Sequence, residues 1–280
     1  TQAPAHSADS PTLRRSEAVR SVPKEFLDPP GPWNPTVALF LAGYGLAGLS
    51  IWGWFVAGWP LPALLALGFL ALHLEGPVIH DACHNAAHPN RFCNALMGHG
   101  AALLLGFSFP VFTRVHLQHH AHVNDPKLDP DHIVSTFGPL WLIAPRFFYH
   151  EVFFFRHRLW RRHELLEWGL ARGIFVAIVL AASKYGFLPF VFNCWFAAAL
   201  MVGVTLGLFF DYLPHRPFQS RNRWHNARVY PGRLMNWLIM GQNYHLIHHL
   251  WPSIPWFEYQ SAYHATSHLL DAKGSPQRLG

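Results

Sequence analysis

Three short histidine runs organise this chain: His80-Asp81-Ala82-Cys83-His84, His116-Leu117-Gln118-His119-His120 and His245-Leu246-Ile247-His248-His249. Residues three or four positions apart share one face of an α-helix, so each run can direct its imidazoles toward a single point. Imidazole nitrogens suit iron, zinc, copper and nickel. The spacing therefore predicts a metal site built from three segments that are far apart in the sequence.

The repetition of the pattern carries more weight than any single histidine. The chain holds 21 histidines, and an isolated one is more often a packed or hydrogen-bonded residue than a ligand. Two HxxHH runs and one HxxxH run, each beside an apolar segment, favour a shared metal site. Isolated histidines such as His6, His157 and His268 are interpreted as ordinary polar residues.

The composition indicates one membrane-embedded unit. Hydrophobic residues make up 51% of the 280 residues and charged residues only 13%, whereas about 25% charged residues is typical of soluble domains. The net charge is +6, and because the lysines and arginines flank apolar runs, this charge fits a membrane surface better than nucleic acid. The three cysteines form no CxxC pair and are expected to be reduced thiols.

Four apolar segments are long enough to cross a bilayer core of about 30 Å as helices. We predict spans at 36–58, 61–79, 165–183 and 186–210. The predicted fold class is all-α integral membrane, with interfacial helices and a histidine-rich cytoplasmic cap. The expected organisation is a polar N-terminal tail, the membrane domain and a polar C-terminal end, at 1–35, 36–270 and 271–280.

Two further apolar stretches are predicted not to cross. Residues 95–113 are long enough to span, but a single crossing would place the first and second histidine runs on opposite sides of the membrane. This stretch is therefore expected to be re-entrant or interfacial, and its glycines and Pro110 allow a turn. Residues 137–155 mix aromatic and charged side chains and are interpreted as an interfacial amphipathic segment.

The distribution of positive charge agrees with four spans. In that topology both termini and all histidine runs share one side, and 20 of the 21 lysines and arginines fall there, with only Lys184 in an outer turn. Positively charged loops favour the cytoplasmic side. The histidine runs are accordingly expected to face the cytoplasm.

The number of imidazoles predicts two metal ions. The three runs offer eight histidines, and His215 directly follows the fourth span, which is more than one tetrahedral zinc needs. Zinc would serve hydrolysis, whereas two irons would serve oxygen activation. Aspartates near the runs are candidates for fixing histidine tautomers, with a helix cap or a turn as the alternative role for each: Asp81, Asp125, Asp129, Asp131 and Asp211.

Longer stretches around the histidines carry a family resemblance. They are Phe109-Pro-Val-Phe-Thr-Arg-Val-His-Leu-Gln-His-His120, Tyr212-Leu-Pro-His-Arg-Pro217 and Gln242-Asn-Tyr-His-Leu-Ile-His-His-Leu-Trp-Pro-Ser-Ile-Pro-Trp256. Nearly the whole chain after residue 36 resembles the membrane fatty acid desaturase and hydroxylase superfamily. Within it, the chain resembles the cyanobacterial-type β-carotene hydroxylases, which are related to bacterial β-carotene ketolases.

The resemblance implies a non-haem di-iron oxygenase. It would use dioxygen and electrons from a reduced ferredoxin-like donor to hydroxylate C3 of β-ionone rings, converting β-carotene to β-cryptoxanthin and zeaxanthin. The implied iron ligands are His80, His84, His116, His119, His120, His215, His245, His248 and His249. His88 is extra to the family pattern, and it would replace or supplement a ligand.

The sequence leaves other activities open. A β-carotene 4-ketolase or an acyl-lipid desaturase would use the same di-iron site on another carbon or another substrate. A metal-transporting membrane protein would instead need ligands along a path through the bilayer, whereas the histidine runs lie at the ends of apolar segments.

Overall fold

The computed structural model describes residues 22–278, and this part of the chain is built from helices and loops, with no β-strand in that range. The helices, in chain order, are α1 (Pro35–Ala57), α2 (Leu61–Cys83), α3 (Arg91–Leu105), α4 (Phe109–His122), α5 (Pro130–Thr136), α6 (Ile143–Arg146), α7 (Phe148–Arg156), α8 (Arg162–Tyr185), α9 (Leu188–His215), α10 (Arg233–Leu238), α11 (His245–Leu250) and α12 (Tyr259–Ala272).

The four predicted spans are confirmed as helices long and apolar enough to cross a membrane: α1, α2, α8 and α9. Two of them run further than the hydropathy predicts, since α2 continues to Cys83 and α9 to His215. The added turns carry polar residues that become buried at the end of the bundle. The spans therefore deliver His80 and His215 directly to that end.

The apolar stretch at 95–113 does not form one straight helix, and its sharp bend is compatible with the expected re-entrant segment. Helices α3 and α4 meet at an angle of 98°. The turn between them begins at Gly106, whose φ of +84° favours glycine. Because α3 starts beside the first histidine run and α4 ends with the second, both runs lie at the same end of the bundle.

Helix α2 lies at the centre of the membrane bundle and packs closely on α9. A Cβ atom added at Gly68 would lie 2.2 Å from the backbone oxygen of Cys194. Helix α1 also packs on α2, where Thr36 Oγ1 donates a hydrogen bond of 2.8 Å to Asp81 Oδ2. These close contacts hold the two flanking spans against the helix that carries the first histidine run.

A cap of short helices covers the histidine end of the bundle. Its core includes the fully buried side chains of Tyr244, Leu246 and Tyr259. Val22 also belongs to this core, so the described part of the predicted N-terminal tail lies against the cap, and residues 1–21 of that tail lie outside the described residues. Near the C-terminus, Val229 N donates a hydrogen bond of 3.0 Å to Pro276 O.

The segment predicted to be interfacial, residues 137–155, has a buried side and an exposed side. Phe153 and Phe154 are fully buried, whereas Phe148 and Trp141 are largely exposed. Such a segment packs one side on the protein and leaves an aromatic side for the surroundings. It forms α6 and α7, which lie beside α5 and α9.

We predict that Gly68→Ala lowers the melting temperature of the purified protein in detergent. The new methyl group would meet the Cys194 carbonyl at 2.2 Å, and overpacking of this kind costs about 1–3 kcal/mol. The measurement is a thermal unfolding curve followed by intrinsic fluorescence.

Gly48→Ala is the matched control, because a Cβ atom at Gly48 has no neighbour within 4 Å. Alanine in a helix interior is favoured over glycine by roughly 0.5–1 kcal/mol, so this variant should melt at the wild-type temperature or above it. Equal melting of the two variants would contradict the close packing of α2 on α9.

Candidate metal centre

All nine histidines implied by the resemblance meet at one end of the bundle. His80 and His84 come from the end of α2, and three more come from one face of α4. His215 ends α9, and the last three lie on the short buried helix α11. The three- and four-residue spacings place the imidazoles of each helix on a common face.

Two groups of four histidines have the geometry of metal sites. One group contains His80, His84, His116 and His248, and the other contains His119, His215, His245 and His249. Within each group, one nitrogen per residue lies within 4.8 Å of the others. Nitrogens that bind one ion at about 2.1 Å lie at most about 4.2 Å apart, so small adjustments bring each group to a coordination sphere.

His120 lies between the two groups. Its Nε2 atom is 2.7 Å from Nε2 of His248 and 3.1 Å from Nε2 of His116. Its ring also stacks on that of His249, with ring centroids 4.5 Å apart. The structure therefore brings this ninth histidine to the boundary of both candidate sites.

The unpaired nitrogens in the groups fit bound metal ions. Both ring nitrogens of His80 and the Nε2 atoms of His84 and His215 are buried without a hydrogen-bond partner in the described structure. Buried polar atoms are normally hydrogen-bonded, and these four unpartnered nitrogens belong to members of the two histidine groups. Metal coordination would satisfy them, so the donor set fits two ions that accept nitrogen ligands.

Hydrogen bonds orient four of the rings. The Nδ1 atoms of these rings lie 2.9–3.0 Å from a partner oxygen: His119 from Asp129 Oδ1, His215 from the backbone oxygen of Asn226, His245 from Gln242 Oε1 and His248 from the hydroxyl of Tyr259. A histidine whose Nδ1–H is donated in this way presents Nε2 as a ligand. The oxygens of Asp129, Asn226 and Gln242 only accept, so they favour this tautomer in His119, His215 and His245, and the Tyr259 hydroxyl positions the ring of His248.

The second group has a carboxylate side. Asp131 Oδ2 lies 3.5 Å from Nδ1 of His119, and Asp131 Oδ1 lies 2.8 Å from Nε2 of His150. Burial opposes charge on His119, but Asp129 and Asp131 outweigh it and raise the pKa of His119 to about 10. This side of the site therefore favours positive charge, whether a proton or a metal ion carries it.

Most of the other rings are held neutral. Burial, assisted by neighbouring histidines, lowers the pKa of His248 and His249 well below the usual value. Burial and the nearby His119 lower the pKa of His84 to about 3. Neutral imidazole is the form that binds metals, so these rings are ready to act as ligands at neutral pH.

Several residues predicted near the metals have other contacts. Asp81 points away from the histidines, accepting hydrogen bonds from Thr36 and from the backbone nitrogen of Trp256. Asp125 accepts from backbone nitrogens of its own turn and pairs with Arg221 at 3.0 Å. His88 lies outside both groups, where Nδ1 accepts a hydrogen bond from Asn90 N.

The structure adds residues that the sequence did not single out. His150 was placed in an interfacial segment, yet it is buried beside Asp131. Gln242, Tyr259 and Asn226 were not predicted to orient histidines. Only Gln242 had a local signal, because it lies three residues before His245. Of the predicted carboxylates, Asp211 is buried near the histidine group that contains His119, and it lines the cavity beside that group.

A cavity of about 300 Å³ adjoins both histidine groups. His80 and His116 of the first group and His119 and His245 of the second line it. The remaining wall is mostly aliphatic and aromatic and comes largely from α2, α4 and α9. Its lining also includes Phe148, which is 63% exposed.

The sequence was compared with known protein families. Residues 53–279 match the family described as fatty acid desaturase. The chain belongs to the fatty acid desaturase family. This assignment covers every histidine of both groups.

Individual relatives in the family act on two kinds of substrate. The chain is 30% identical over 239 residues to the beta-carotene ketolase of Paracoccus sp. (strain PC1), covering 79% of this chain and 88% of the relative. It is 25% identical over 296 residues to the sn-1 oleoyl-lipid 12-desaturase of Anabaena variabilis, covering 91% and 82%. A zeaxanthin 4-ketolase of Chlamydomonas reinhardtii is 28% identical over 188 residues, covering 64% of this chain and 38% of that protein.

We predict that Asp129→Asn weakens metal binding to this desaturase-family protein, tested with iron, by about 10- to 100-fold, as for other residues that orient a metal-bound histidine. The amide can turn its nitrogen toward His119, and it removes a negative charge 2.9 Å from Nδ1. The measurement is iron retention during dialysis against graded chelator concentrations.

Asp125→Asn serves as the control for this change. Asp125 lies four residues away and contacts its own turn and Arg221. Iron retention should equal that of the wild type. A wild-type result for Asp129→Asn as well would contradict the assigned role of Asp129.

We also predict that the metal-free protein loses stability between pH 6.5 and pH 5. The unfolded chain protonates His84 near its usual pKa of about 6.5, whereas the folded chain does so only near pH 3. The unfolded state therefore binds more protons in this interval, and the free energy of unfolding falls as the pH falls.

Thermal unfolding of the metal-free protein at both pH values measures this effect. A single fully shifted histidine contributes up to about 1.4 kcal/mol per pH unit. The variant His84→Gln should show a smaller difference between the two pH values. A pH-independent melting temperature in the wild type would contradict the buried neutral state of these rings.

Proposed function

We propose that this chain is an O2-dependent β-carotene 3-hydroxylase that converts β-carotene to β-cryptoxanthin and zeaxanthin. One observation carries the proposal: two groups of buried histidines line a single, largely apolar cavity inside a membrane bundle. A cavity of this kind suits a water-insoluble substrate that enters from the bilayer. The histidines suit a redox metal placed against that substrate.

Two iron ions are the proposed cofactor, held by the nine histidines. When bound, they supply the redox chemistry that lets dioxygen react with an unactivated carbon–hydrogen bond. The chain's own residues orient the ligands and exclude water. Asp129 and Tyr259 hold His119 and His248 through Nδ1, so the Nε2 atoms stay directed at the metal positions.

The cavity wall is the proposed determinant of regiochemistry. Its aliphatic and aromatic side chains include Ile79, Phe112, Val115 and Leu206. A β-ionone ring held among them would present one ring carbon to the metal side, and orientation decides which carbon reacts. The choice between C3 and its neighbour C4 therefore depends on the shape of this wall.

A 4-ketolase is the second candidate. The relatives include a beta-carotene ketolase and a zeaxanthin 4-ketolase, and these support a carotenoid substrate. The stretches around His116, His215 and His248 resemble those of the cyanobacterial-type 3-hydroxylases, and this favours C3. An acyl-lipid desaturase is the third candidate, supported by the oleoyl-lipid desaturase of Anabaena variabilis.

Electrons are proposed to come from a reduced ferredoxin-like protein on the cytoplasmic side. The proposal rests on the sequence: if the chain crosses the membrane four times, 20 of its 21 lysines and arginines are expected on the side of the histidine runs. Positively charged segments favour the cytoplasmic side, and they also suit an acidic protein partner.

We expect that a bacterial host producing β-carotene makes β-cryptoxanthin and zeaxanthin when it expresses this chain together with a plant-type ferredoxin and its reductase. The variants His119→Ala and His248→Ala, one from each histidine group, should make neither. The measurement is pigment chromatography with mass spectrometry, normalised to the amount of membrane-inserted protein.

The other outcomes separate the candidates. Echinenone or canthaxanthin in the wild type would favour the 4-ketolase. Unchanged β-carotene together with new double bonds in the membrane lipids would favour the acyl-lipid desaturase. Full activity in either histidine variant would contradict the assignment of the reaction to these clusters.

A further inference from the structure

We propose that the hairpin formed by α7 and α8 binds the headgroup of an anionic phospholipid. Four arginines lie within seven residues at the tip of this hairpin, and all four are exposed: Arg156, Arg158, Arg161 and Arg162. None of them belongs to the two histidine groups. The proposed lipid site is therefore separate from the metal centre and does not depend on which reaction that centre supports.

Aromatic packing gives the tip of the hairpin a defined shape. Below the tip, the rings of Phe155 on α7 and Trp168 on α8 meet edge to face, with centroids 5.0 Å apart. In the connecting loop, Trp160 packs against Phe154 and Phe155, with centroid distances of 6.0 and 5.6 Å. The backbone of Arg158 is left-handed, with φ of +51°. The four arginines are thus presented by a packed turn.

Two carboxylates of the hairpin are already paired with other arginines. Glu164 accepts hydrogen bonds of 2.6–3.1 Å from Arg114 on α4, and Glu151 pairs with Arg172 at 2.7 Å. Within residues 22–278, no carboxylate forms an ion pair with a guanidinium group of the tip. The described protein therefore leaves the positive charge of the tip without a counter-charge, and an external anion would supply one.

An apolar stripe continues from the tip along each helix. The residues are Arg162, Leu166 and Leu170 on α8, and Arg156, Val152 and Phe148 on α7. Residues four positions apart share one face of a helix, and the four apolar side chains are 56–72% exposed. Each helix therefore presents a guanidinium group at one end of an exposed apolar stripe about 12 Å long.

This combination of charge and apolar surface fits a phospholipid. Guanidinium groups bind phosphate oxygens in a bidentate manner, and the stripes offer contact to acyl chains. Helix α8 is long and apolar enough to span a membrane, so arginines at its first turn lie at the level of the lipid headgroups. Basic clusters at this position favour anionic lipids over zwitterionic ones. A free phosphate ion or a soluble acidic protein would use only the charge.

The test counts the phospholipids bound to the purified, iron-loaded protein by native mass spectrometry. The protein is titrated in detergent with phosphatidylglycerol or with phosphatidylcholine that carries the same acyl chains. We expect the wild type to bind phosphatidylglycerol at least about tenfold more tightly. Arg156→Gln combined with Arg162→Gln should weaken phosphatidylglycerol binding about 10- to 30-fold, the usual effect of two basic residues at an anionic membrane, and leave phosphatidylcholine binding within about twofold.

Two control variants separate a local site from general charge. Lys24→Gln combined with Lys127→Gln gives the same net charge, and both lysines are exposed outside the hairpin. This variant should bind phosphatidylglycerol like the wild type. Arg156→Lys combined with Arg162→Lys keeps the charge and should retain most of the affinity. Iron content and melting temperature without added lipid identify any misfolding, and in that case Arg162→Gln alone carries the test, with an expected loss of about fivefold.

Several outcomes would overturn the proposal. Equal affinity of the wild type for both lipids would do so, as would unchanged phosphatidylglycerol binding in the folded Arg156→Gln, Arg162→Gln protein. Equal losses in the two glutamine double variants would show a general charge effect without a site on the hairpin. Displacement of the lipid by millimolar inorganic phosphate would assign the tip to a free anion. If the hairpin variant kept its lipid but lost binding of a plant-type ferredoxin, the tip would instead be a docking surface for an acidic protein.

Discussion

Nine imidazole rings meet at one end of this bundle, and the burial of so many nitrogen ligands within contact of one another is the constraint on which the structure depends. His120 Nε2 lies 2.7 Å from His248 Nε2 and 3.1 Å from His116 Nε2. Burial keeps these rings neutral and removes the water that would solvate them. A cation placed among the nitrogens would satisfy the unpartnered atoms of His80 and His84. The four spans and the bent pair of helices α3 and α4 together hold these rings at one end of the bundle.

The sequence predicted the parts of this arrangement that depend on local periodicity and length. Apolar stretches of adequate length located the four spans, and histidine spacing of three and four residues located the clusters. The need to keep those clusters on one side predicted the fold-back at Gly106. The end points of α2 and α9 were placed too early, because their last turns are polar and become buried only when the cap covers them.

The sequence could not predict which aspartates contact the histidines, because those contacts join residues that are far apart in the chain. Asp81 adjoins His80, but consecutive residues on a helix point about 100° apart, and Asp81 contacts Thr36 on α1 instead of the metal groups. Asp125 and Asp129 both occupy turn sequences, yet only Asp129 reaches His119. His150 resembled a surface residue until the packing of α7 placed it beside Asp131.

The relatives of this chain include a beta-carotene ketolase and an sn-1 oleoyl-lipid 12-desaturase, so membership of the family does not by itself define a product. The proposed determinant of the product is the cavity wall, whose packing would set which substrate carbon faces the metal. In this chain the wall joins α2, α4 and α9 near the histidines with the exposed side of α7. The histidines therefore account for the metal site, and the side chains that line the cavity are the proposed determinants of the substrate.

Metal stoichiometry tests the central claim most directly. Elemental analysis of protein purified from iron-supplemented cells should give two irons per chain. His84→Ala and His245→Ala each damage one of the two histidine groups, and each should lower the iron content by about one ion while the other ion is retained. One metal ion per chain in the wild type, or zinc in place of iron at both positions, would contradict a di-iron centre held by two histidine groups.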